Sequence, residues 1–272
     1  MSLDEQLELN EYKRKIAYLY NRRSHNYDES KWHPSITKRL VKYAQIQPGQ
    51  KILDMATGTG HVAIQVSQIV GSGGRVVGVD ISNGMLEQAR RKIKALKINN
   101  IQLYLADAET LDFSTNSFDG ILCAHAFPWM ENKEITLRLW SSFLKAGGLI
   151  GIHTPADRTY MVDFILRDIF EKYGVTISRG NSIGSVQKFH NILTKAGFEA
   201  IEIKTEEYIG NYISLEEAKQ KWNGISDPLI LQMSSDKLKK IKAEFDAELE
   251  ALTTEQGIWN DGIALFAFAR KS

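Results

Sequence analysis

The 272-residue sequence has a single cysteine, Cys123, five prolines and a net charge of only +1. One cysteine excludes an internal disulfide framework and fits a reducing compartment, so we expect a cytoplasmic protein. The balanced charge gives no reason to expect nucleic acid or an acidic membrane as a partner. No apolar run reaches the length of about 18 residues that crossing a membrane requires, and the charged N-terminus predicts no signal peptide.

The residue clusters that mark several chemistries are missing as well. There is no cluster of cysteine and histidine with the spacing of zinc ligands. The fourth predicted strand has no neighbouring acid pair for magnesium, so we expect no bound metal. No basic stripe with interleaved aromatic residues is present for RNA. What remains is a composition typical of a globular protein, with 43% hydrophobic and 25% charged residues.

Predicted strands and helices alternate over residues 36–153, and this order favours a parallel sheet with helices on both faces. Two more strands are expected at residues 198–206 and 262–270. The charged, helical stretch between them is longer than a connection needs. We therefore predict three parts, which are a helical cap over residues 1–45, a core over residues 46–207 and 258–272, and a helical lid over residues 208–257.

The centre of this pattern is a short turn between the first predicted core strand and the helix that follows it. The apolar residues Ile52 and Leu53 lead to Asp54, and the turn Ala56-Thr57-Gly58-Thr59-Gly60 opens an apolar helical pattern. Glycines let the backbone approach a ligand closely, and a helix N-terminus offers N–H groups. A strand, a glycine turn and a helix in this order are typical of a nucleotide site.

Three acids, Asp54, Asp80 and Asp107, end three successive predicted strands. The carboxyl ends of parallel strands share one edge of the sheet, where open α/β folds bind ligands, so we expect the three carboxylates in a row. Any one of these acids alone is as consistent with a helix N-cap. All three together, with the glycine turn at the first, favour a binding site.

Two ligands compete for this edge. The spacing Gly58-x-Gly60-x-x-Ala63, followed by Asp80, satisfies the dinucleotide pattern. Asp54, however, lies where a pyrophosphate would sit, and like charges repel. S-adenosylmethionine has an ammonium, a sulfonium and a ribose but no phosphate. Its ammonium suits the Asp54 turn, its ribose suits Asp80 and its adenine amino group suits Asp107, so this is the cofactor that we predict.

The segments LDMATGTG, VVGVDIS, YLADAETL and FDGILCAHAF resemble, in this order, four motifs of class I S-adenosylmethionine-dependent methyltransferases. The likeness covers about residues 20–155 and leans toward the group that contains the ubiquinone- and menaquinone-biosynthesis methyltransferases. It implies an α/β fold with a seven-stranded, Rossmann-like, doubly wound sheet. Such a sheet is mostly parallel, with an antiparallel last strand.

The same resemblance implies a set of cofactor-binding residues along the carboxyl edge of the sheet and in the N-terminal segment: Tyr27, Asp54, Ala56, Gly58, Gly60, Asp80, Ile81, Met85, Asp107, Ala108 and Cys123. The glycine turn would hold the methionine moiety, the second acid the ribose, and the residues after the second and third strands the adenine. Cys123 would lie beside the sulfonium, and Tyr27 would close over the cofactor.

Methyl transfer requires the nucleophile, the methyl carbon and the sulfur in one line, and it requires a base where the nucleophile must lose a proton. His125 and His153 end the fourth and fifth strands and are our candidate bases. The alternative is that both are polar strand-end residues bonded to the backbone.

Aromatic and methionine side chains suit a flat, apolar acceptor. We predict a substrate pocket from residues of this kind: Trp32, Phe127, Trp129, Met161 and Trp222. The alternative is that they belong to the core beneath the helical lid.

We therefore expect an enzyme that transfers a methyl group by in-line displacement from S-adenosylmethionine to a small aromatic or apolar metabolite. The attacked atom is O, N or a ring carbon, and quinone or natural-product biosynthesis is the expected setting. An NAD(P)-dependent oxidoreductase and a non-catalytic S-adenosylmethionine-binding protein are the alternatives. We expect a monomer or a homodimer, with the small-molecule acceptor as its partner and no nucleic acid.

Overall fold

The computed structural model describes residues 8–29, 32–157, 159, 161–175, 183–224, 230 and 233–272. The strands of this part are β1 (Lys51–Met55), β2 (Arg75–Asp80), β3 (Ile101–Leu105), β4 (Phe118–Ala124), β5 (Leu144–Pro155), β6 (Phe198–Ile213) and β7 (Ile258–Lys271). They form a seven-stranded sheet in the order β3-β2-β1-β4-β5-β7-β6.

The α-helices of the described residues are α1 (Glu11–Arg23), α2 (Trp32–Ala44), α3 (His61–Val70), α4 (Asn83–Ala95), α5 (Lys133–Phe143), α6 (Met161–Lys172), α7 (Val186–Lys195), α8 (Leu215–Gln220) and α9 (Ser235–Leu252). Asn10, Ser82 and Asn132 cap three of them, since each side chain accepts a backbone N–H of the first turn. None of the helices in the described part of the chain combines the length and apolar character that crossing a bilayer requires.

The pairing of the strands confirms the predicted sheet. β1 pairs in parallel with β2 and β4, β2 with β3, and β4 with β5. β7 runs antiparallel to β5. Just past the end of β5, the Ala156 N–H donates to Ile263 O at 2.9 Å. At its other end, the Lys271 ammonium donates to Leu144 O at 2.8 Å.

The order of the sheet reverses between β1 and β4, which are neighbours in space although β2 and β3 separate them along the chain. Such a switch point is where open α/β sheets bind ligands, at the carboxyl ends of the strands. β1 reaches this point as a continuous buried run, in which Ile52, Leu53 and Met55 are all fully buried. Burial of the whole run is expected of a central parallel strand, because helices cover both faces of the sheet.

The chain divides into two compact units. One comprises Met1–Thr154, Val186–Lys204 and Leu265–Ser272, and the other comprises Pro155–Ser185 and Thr205–Ala264. The second unit has an apolar cluster of its own, in which residues of α6 such as Phe170 pack with residues of α9 such as Phe245.

The predicted lid, residues 208–257, falls within the second unit, but two features differ from the predicted division. The second unit also includes residues 155–185, which the predicted division places in the core, because the apolar face of α6 is buried in the cluster of the second unit. In addition, β6 continues to Ile213, so the lid segment as predicted begins inside a strand.

Candidate functional site

Two adjacent cavities lie at the carboxyl edge of the sheet, beside the switch point between β1 and β4. The larger has an empty volume of about 650 Å³ and the smaller of about 410 Å³, open solvent included. They share five lining residues: Tyr27, Ala56, Gly58, Ala124 and His125. All of the lining residues of both cavities belong to the first unit.

The backbone between the cavities is strained on both sides of the switch point. Ala56, which follows β1, has a φ of 53°, and His125, which follows β4, has a φ of 61°. A residue other than glycine in this left-handed region costs about 1–3 kcal/mol, and such strain concentrates at functional sites. Gly60 has a φ of 86°, and a Cβ there would lie 3.2 Å from the Cβ of Ala89, so this glycine allows α3 to begin close to α4.

Asp54 faces the smaller cavity and is 1% exposed. Its Oδ2 accepts hydrogen bonds from Thr57 Oγ1 at 2.5 Å and from the Ala63 N–H at 3.1 Å. Burial raises the pKa of Asp54 to about 7, against the lowering effect of the hydrogen bonds from Thr57 and Ala63, and the charge of Asp80 adds a smaller rise. A carboxylate in this environment is stabilised by a cation and destabilised by an anion.

Asp80 lines the larger cavity and ties the glycine turn to β2. Its Oδ2 accepts the Gly58 N–H and its Oδ1 the Ser82 N–H, both at 2.8 Å. Burial raises the pKa of Asp80 to about 6. A carboxylate has about four acceptor positions, so Asp80 keeps acceptor capacity for a hydroxyl group of a ligand.

Asp107 lines the larger cavity on the side of β3, together with Ala108. Its Oδ1 accepts the Glu109 N–H at 3.0 Å and lies 3.4 Å from the ammonium of Lys13. Lys13 belongs to α1, is 5% exposed and also pairs with the carboxylate of Glu109. The third acid of the row is therefore already paired with a cation.

Aromatic side chains of the N-terminal segment line the larger cavity. The rings of Tyr20 and Tyr27 lie 6.4 Å apart, and Trp129 meets Tyr20 edge-on at 6.2 Å. Tyr27 also stacks on His33 at 4.1 Å. Burial raises the pKa of Tyr27, and burial together with the charge of His61 lowers the pKa of His33 to about 4. Both side chains are therefore neutral at pH 7.

Asp28 attaches this segment to the glycine turn. Its Oδ1 accepts the Thr59 hydroxyl at 2.6 Å and lies 2.9 Å from Nε2 of His61, while its Oδ2 pairs with Lys92 at 2.8 Å. Burial acts to raise the pKa of Asp28, but the hydrogen bonds from Lys92 and Thr59 hold it below its ordinary value. The position of Tyr27 over the cavities thus depends on a charged contact with the turn itself.

The two candidate bases occupy different positions. His125 lines both cavities. His153 lines neither. It is 0% exposed, stacked on His125 at 5.4 Å and packed against Phe266 at 5.0 Å. Burial and the neighbouring His125 lower the pKa of His153 well below its ordinary value. Of the two, His125 is placed to meet a substrate.

Nine of the eleven predicted cofactor residues line the cavities: Tyr27, Asp54, Ala56, Gly58, Asp80, Ile81, Met85, Asp107 and Ala108. Gly60 and Cys123 do not. Gly60 shapes the start of α3, as described above. Cys123 is fully buried on β4, and burial raises the pKa of its thiol.

The predicted substrate pocket is not assembled as a whole. Trp129 lines the larger cavity. Phe127 is fully buried beside the rings of Trp140, at 5.7 Å, and Phe189, at 6.2 Å, so it belongs to the core. The side chain of Trp32, at the start of α2, lies outside the described part of the structure.

The other two predicted pocket residues, Trp222 and Met161, belong to the second unit. Trp222 stacks on Phe170 at 5.7 Å and packs against the apolar cluster there. Met161 begins α6 and is 37% exposed. Neither lines the two cavities.

One face of α1 was missing from the predicted site. Lys13, Ile16 and Tyr20 line the larger cavity. Their spacing of three and four residues places them on one side of a helix, and this periodicity is the signal that identifies them. Within the described residues, no three His, Cys, Asp or Glu side chains are arranged to hold a metal ion.

Comparison with known proteins agrees with this geometry. The methyltransferase domain family matches residues 46–197, which is more than half of the chain. Aklanonic acid methyltransferase DauC of Streptomyces sp. (strain C5) is 29% identical over 156 residues, covering 57% of this chain and 71% of that protein.

The ubiquinone/menaquinone biosynthesis C-methyltransferase UbiE of Shewanella frigidimarina is 32% identical over 144 residues, covering 52% of this chain and 55% of its own. The chain thus spans about half the length of that relative. A solved structure of Haemonchus contortus phosphoethanolamine N-methyltransferase 2, in complex with phosphomonomethylethanolamine and S-adenosylhomocysteine, shares the fold with a TM-score of 0.57. Its identity is 20%, over 87% of this chain and 52% of that one. With the row of strand-end acids and the glycine turn, the family match shows that the chain belongs to the methyltransferase domain family and is a class I S-adenosylmethionine-dependent methyltransferase.

Proposed function

We propose that this methyltransferase acts on a small, flat acceptor of aromatic or apolar character. The observation that carries the proposal is the row of Asp54, Asp80 and Asp107 around two adjacent cavities with aromatic walls. All three carboxylates favour a ligand that brings hydrogen-bond donors, and the buried Asp54 also favours one that brings positive charge. They oppose the pyrophosphate of a dinucleotide, so an oxidoreductase is the weaker reading of the site.

The side chains match S-adenosylmethionine part by part. The buried carboxylate of Asp54 in the smaller cavity suits the ammonium of the methionine moiety. Asp80 has acceptor positions for the ribose hydroxyls. In the larger cavity, Asp107 and Ala108 lie at the proposed adenine edge, and the apolar side chains of Ile81 and Met85 suit the ring faces. These assignments place the methionine and adenosine parts in different cavities.

The residues shared by the two cavities would then lie near the reacting centre. When bound, S-adenosylmethionine supplies an electrophilic methyl carbon on a positively charged sulfur. His125 belongs to both cavities and is our proposed base, which accepts a proton from a hydroxyl or amine nucleophile at an imidazole nitrogen. Tyr27 and Trp129 cover the site and exclude water, which strengthens the electrostatic interactions within it.

The acceptor class rests on the cavity wall and on the names of similar proteins. Tyr20 and Trp129 offer ring faces on which a planar molecule can stack. Two similar proteins are named for aklanonic acid and for demethylmenaquinone. A quinone or a related ring compound, methylated at O, N or a ring carbon in quinone or natural-product biosynthesis, is therefore the acceptor that we propose. A monomer or homodimer in the cytoplasm stays our prediction.

Calorimetry with S-adenosylhomocysteine and with NADH tests the cofactor assignment. We expect S-adenosylhomocysteine to bind and NADH not to bind. The reverse result would show that the ligand assignment of the acids is wrong. Asp54→Asn should lose binding of S-adenosylhomocysteine, and Asp119→Asn is its matched control. Asp119 lies at the start of β4, away from the carboxyl edge, where it accepts the Lys51 N–H at 2.8 Å.

Methyl transfer from labelled S-adenosylmethionine to a panel of hydroxylated quinones, phenols and aliphatic amines tests the acceptor. We expect label on the ring compounds. Transfer to the aliphatic amines alone would contradict the proposed acceptor class. Tight cofactor binding without transfer to any compound of the panel would favour the non-catalytic binding protein.

A further inference from the structure

A buried lysine reaches the proposed adenine edge from the N-terminal helix. Lys13 is 5% exposed, lines the larger cavity and has its ammonium 3.4 Å from Oδ1 of Asp107. It also pairs with Glu109. A lysine is almost never buried to this extent unless it is paired, so the two carboxylates account for its position.

Glu109 fixes this lysine to the sheet edge. Its carboxylate accepts the N–H groups of Glu131 at 3.0 Å and Asn132 at 3.1 Å, and the hydroxyl of Thr136 at 2.9 Å. Burial acts to raise the pKa of Glu109, but the hydrogen bonds from Lys13 and from the two N–H groups lower it overall. Glu109 is therefore an ionised, well-anchored partner for the ammonium.

The paired lysine determines which oxygen of Asp107 faces a ligand. Among the described residues, both hydrogen bonds to this carboxylate, from Lys13 and from the Glu109 N–H, reach Oδ1. Oδ2 is the oxygen that remains for the cavity. A carboxylate paired with an ammonium accepts hydrogen bonds and donates none. It therefore suits the amino group of adenine and repels a ring that carries a carbonyl oxygen there.

We propose that Lys13 is a positioning residue that makes Asp107 select an adenine ring over its deaminated counterpart. This inference rests on the proposed placement of adenosine in the larger cavity. Without the ammonium, the carboxylates of Asp107 and Glu109 would face each other in a buried site, where one of two like charges takes up a proton. Another buried lysine, Lys133, donates to the Met130 carbonyl at 2.8 Å, and its charge interacts with that of Glu109, so Glu109 is the acid of the pair that we expect to stay ionised. A protonated Asp107 can donate to a carbonyl oxygen, and the selectivity is lost.

The test compares the affinities for S-adenosylhomocysteine and for S-inosylhomocysteine, in which a carbonyl oxygen replaces the adenine amino group. Calorimetry gives both dissociation constants for the unaltered chain, for Lys13→Met and for Lys15→Met. Lys15 is the matched control, because it lies on the same helix, is 74% exposed and pairs with Glu11. We expect the preference for the adenosine compound to fall at least about tenfold in Lys13→Met and to stay unchanged in Lys15→Met.

The ratio of the two affinities distinguishes a role of Lys13 in selecting the adenine ring from a role in docking α1 only. If Lys13 merely docks the helix, Lys13→Met weakens both ligands equally, and an unchanged ratio would overturn the inference while S-adenosylhomocysteine still binds. Failure of the unaltered chain to bind S-adenosylhomocysteine would instead overturn the proposed function itself. If Lys13→Met does not fold, Lys13→Gln replaces it in the test, because glutamine keeps a hydrogen-bond donor for Glu109. Lys13→Gln should also lower the preference for S-adenosylhomocysteine over S-inosylhomocysteine. Lys13→Arg should preserve it, because the charge remains.

Discussion

The burial of Asp54 predicts that this acid destabilises the unliganded fold. Its side chain is 1% exposed, and burial raises its pKa to about 7. At pH 8 the folded protein must therefore hold a buried charge that the cofactor's ammonium is proposed to neutralise. We predict that Asp54→Asn stabilises the unliganded protein at pH 8 and abolishes binding of S-adenosylhomocysteine. Asn retains an oxygen that can accept the bonds from Thr57 and Ala63.

The size of the effect follows from linkage. Raising a pKa from 3.8 to about 7 corresponds to about 4 kcal/mol, since each pKa unit is worth about 1.4 kcal/mol. The folded state keeps the proton to higher pH than the unfolded state. The stabilisation of the folded state by the proton on Asp54 is therefore fully present below about pH 4 and is lost as the pH rises through about 7. Between pH 5 and pH 8 the wild type should lose about 3 kcal/mol that the variant does not lose.

The assay is the unfolding midpoint of both proteins without ligand at pH 5 and pH 8. For a chain of this size, about 1 kcal/mol shifts the thermal midpoint by about 2–4 °C. The advantage of Asp54→Asn over the wild type should thus grow by about 6–12 °C from pH 5 to pH 8. This comparison removes any difference between Asp and Asn that does not depend on pH. Asp80 is present in both proteins, and its charge is one of the causes of the Asp54 shift that the variant removes.

Asp119→Asn is the control, because its electrostatics have the opposite sign. Burial acts to raise the pKa of Asp119, but the hydrogen bonds from Lys145 and from the Lys51 N–H hold it below its ordinary value. Its stabilisation is present above the unfolded pKa, so the variant should be less stable at both pH values, with unchanged affinity for S-adenosylhomocysteine. If Asp54→Asn shows no growing advantage between pH 5 and pH 8, Asp54 is not the buried charge that the structure indicates.

Three further predictions concern the two cavities and the N-terminal segment that lines them. Asp28→Asn should weaken S-adenosylhomocysteine binding by about fivefold, because a half-exposed ion pair is worth up to about 1 kcal/mol. Glu11→Gln, at an exposed pair on α1, should have no effect on this affinity. Equal losses in both variants would contradict a specific attachment of the N-terminal segment to the glycine turn through Asp28. Affinity for S-adenosylmethionine should rise from pH 5 to pH 8, since Asp54 and Asp80, with pKa values of about 7 and about 6, must ionise to receive it; a flat calorimetric profile would refute this. His125→Asn, chosen because asparagine tolerates a left-handed backbone, should lower kcat by about 10²–10⁴-fold with unchanged S-adenosylhomocysteine affinity; a near-normal rate would mean that positioning alone accounts for catalysis.

The central strands β1, β2 and β4 could be predicted from sequence because they are buried on both faces. Such strands appear as apolar runs that stop at a polar residue, and the bounds of β2 (Arg75–Asp80) and β4 (Phe118–Ala124) follow directly from those runs. The carboxyl ends of adjacent parallel strands must meet at one edge. The row of three acids is therefore predictable from strand order alone and does not depend on side-chain contacts.

Positions that depend on packing between distant segments could not be predicted in the same way. His125 and His153 both end strands, yet one lines the cavities and the other is buried behind it, because the neighbouring strand and Phe266 decide which ring is covered. Phe127 and Trp129 are two residues apart and similar in type, yet one is core and one is cavity wall. Lys13 looks like one of many surface lysines until α1 is docked against Glu109.

The left-handed backbone at Ala56 and His125 unites these observations. Alanine is uncommon in this conformation and histidine is only moderately enriched in it, whereas glycine would adopt either position without strain. The two residues follow β1 and β4, the neighbouring strands on either side of the switch point, and both line both cavities. Strain at two matched positions persists only where the surrounding structure holds it, and here it lies where the proposed methionine and adenosine cavities meet. The switch point of the sheet and the strained backbone, which includes the candidate base His125, thus coincide at the point that we propose as the reacting centre.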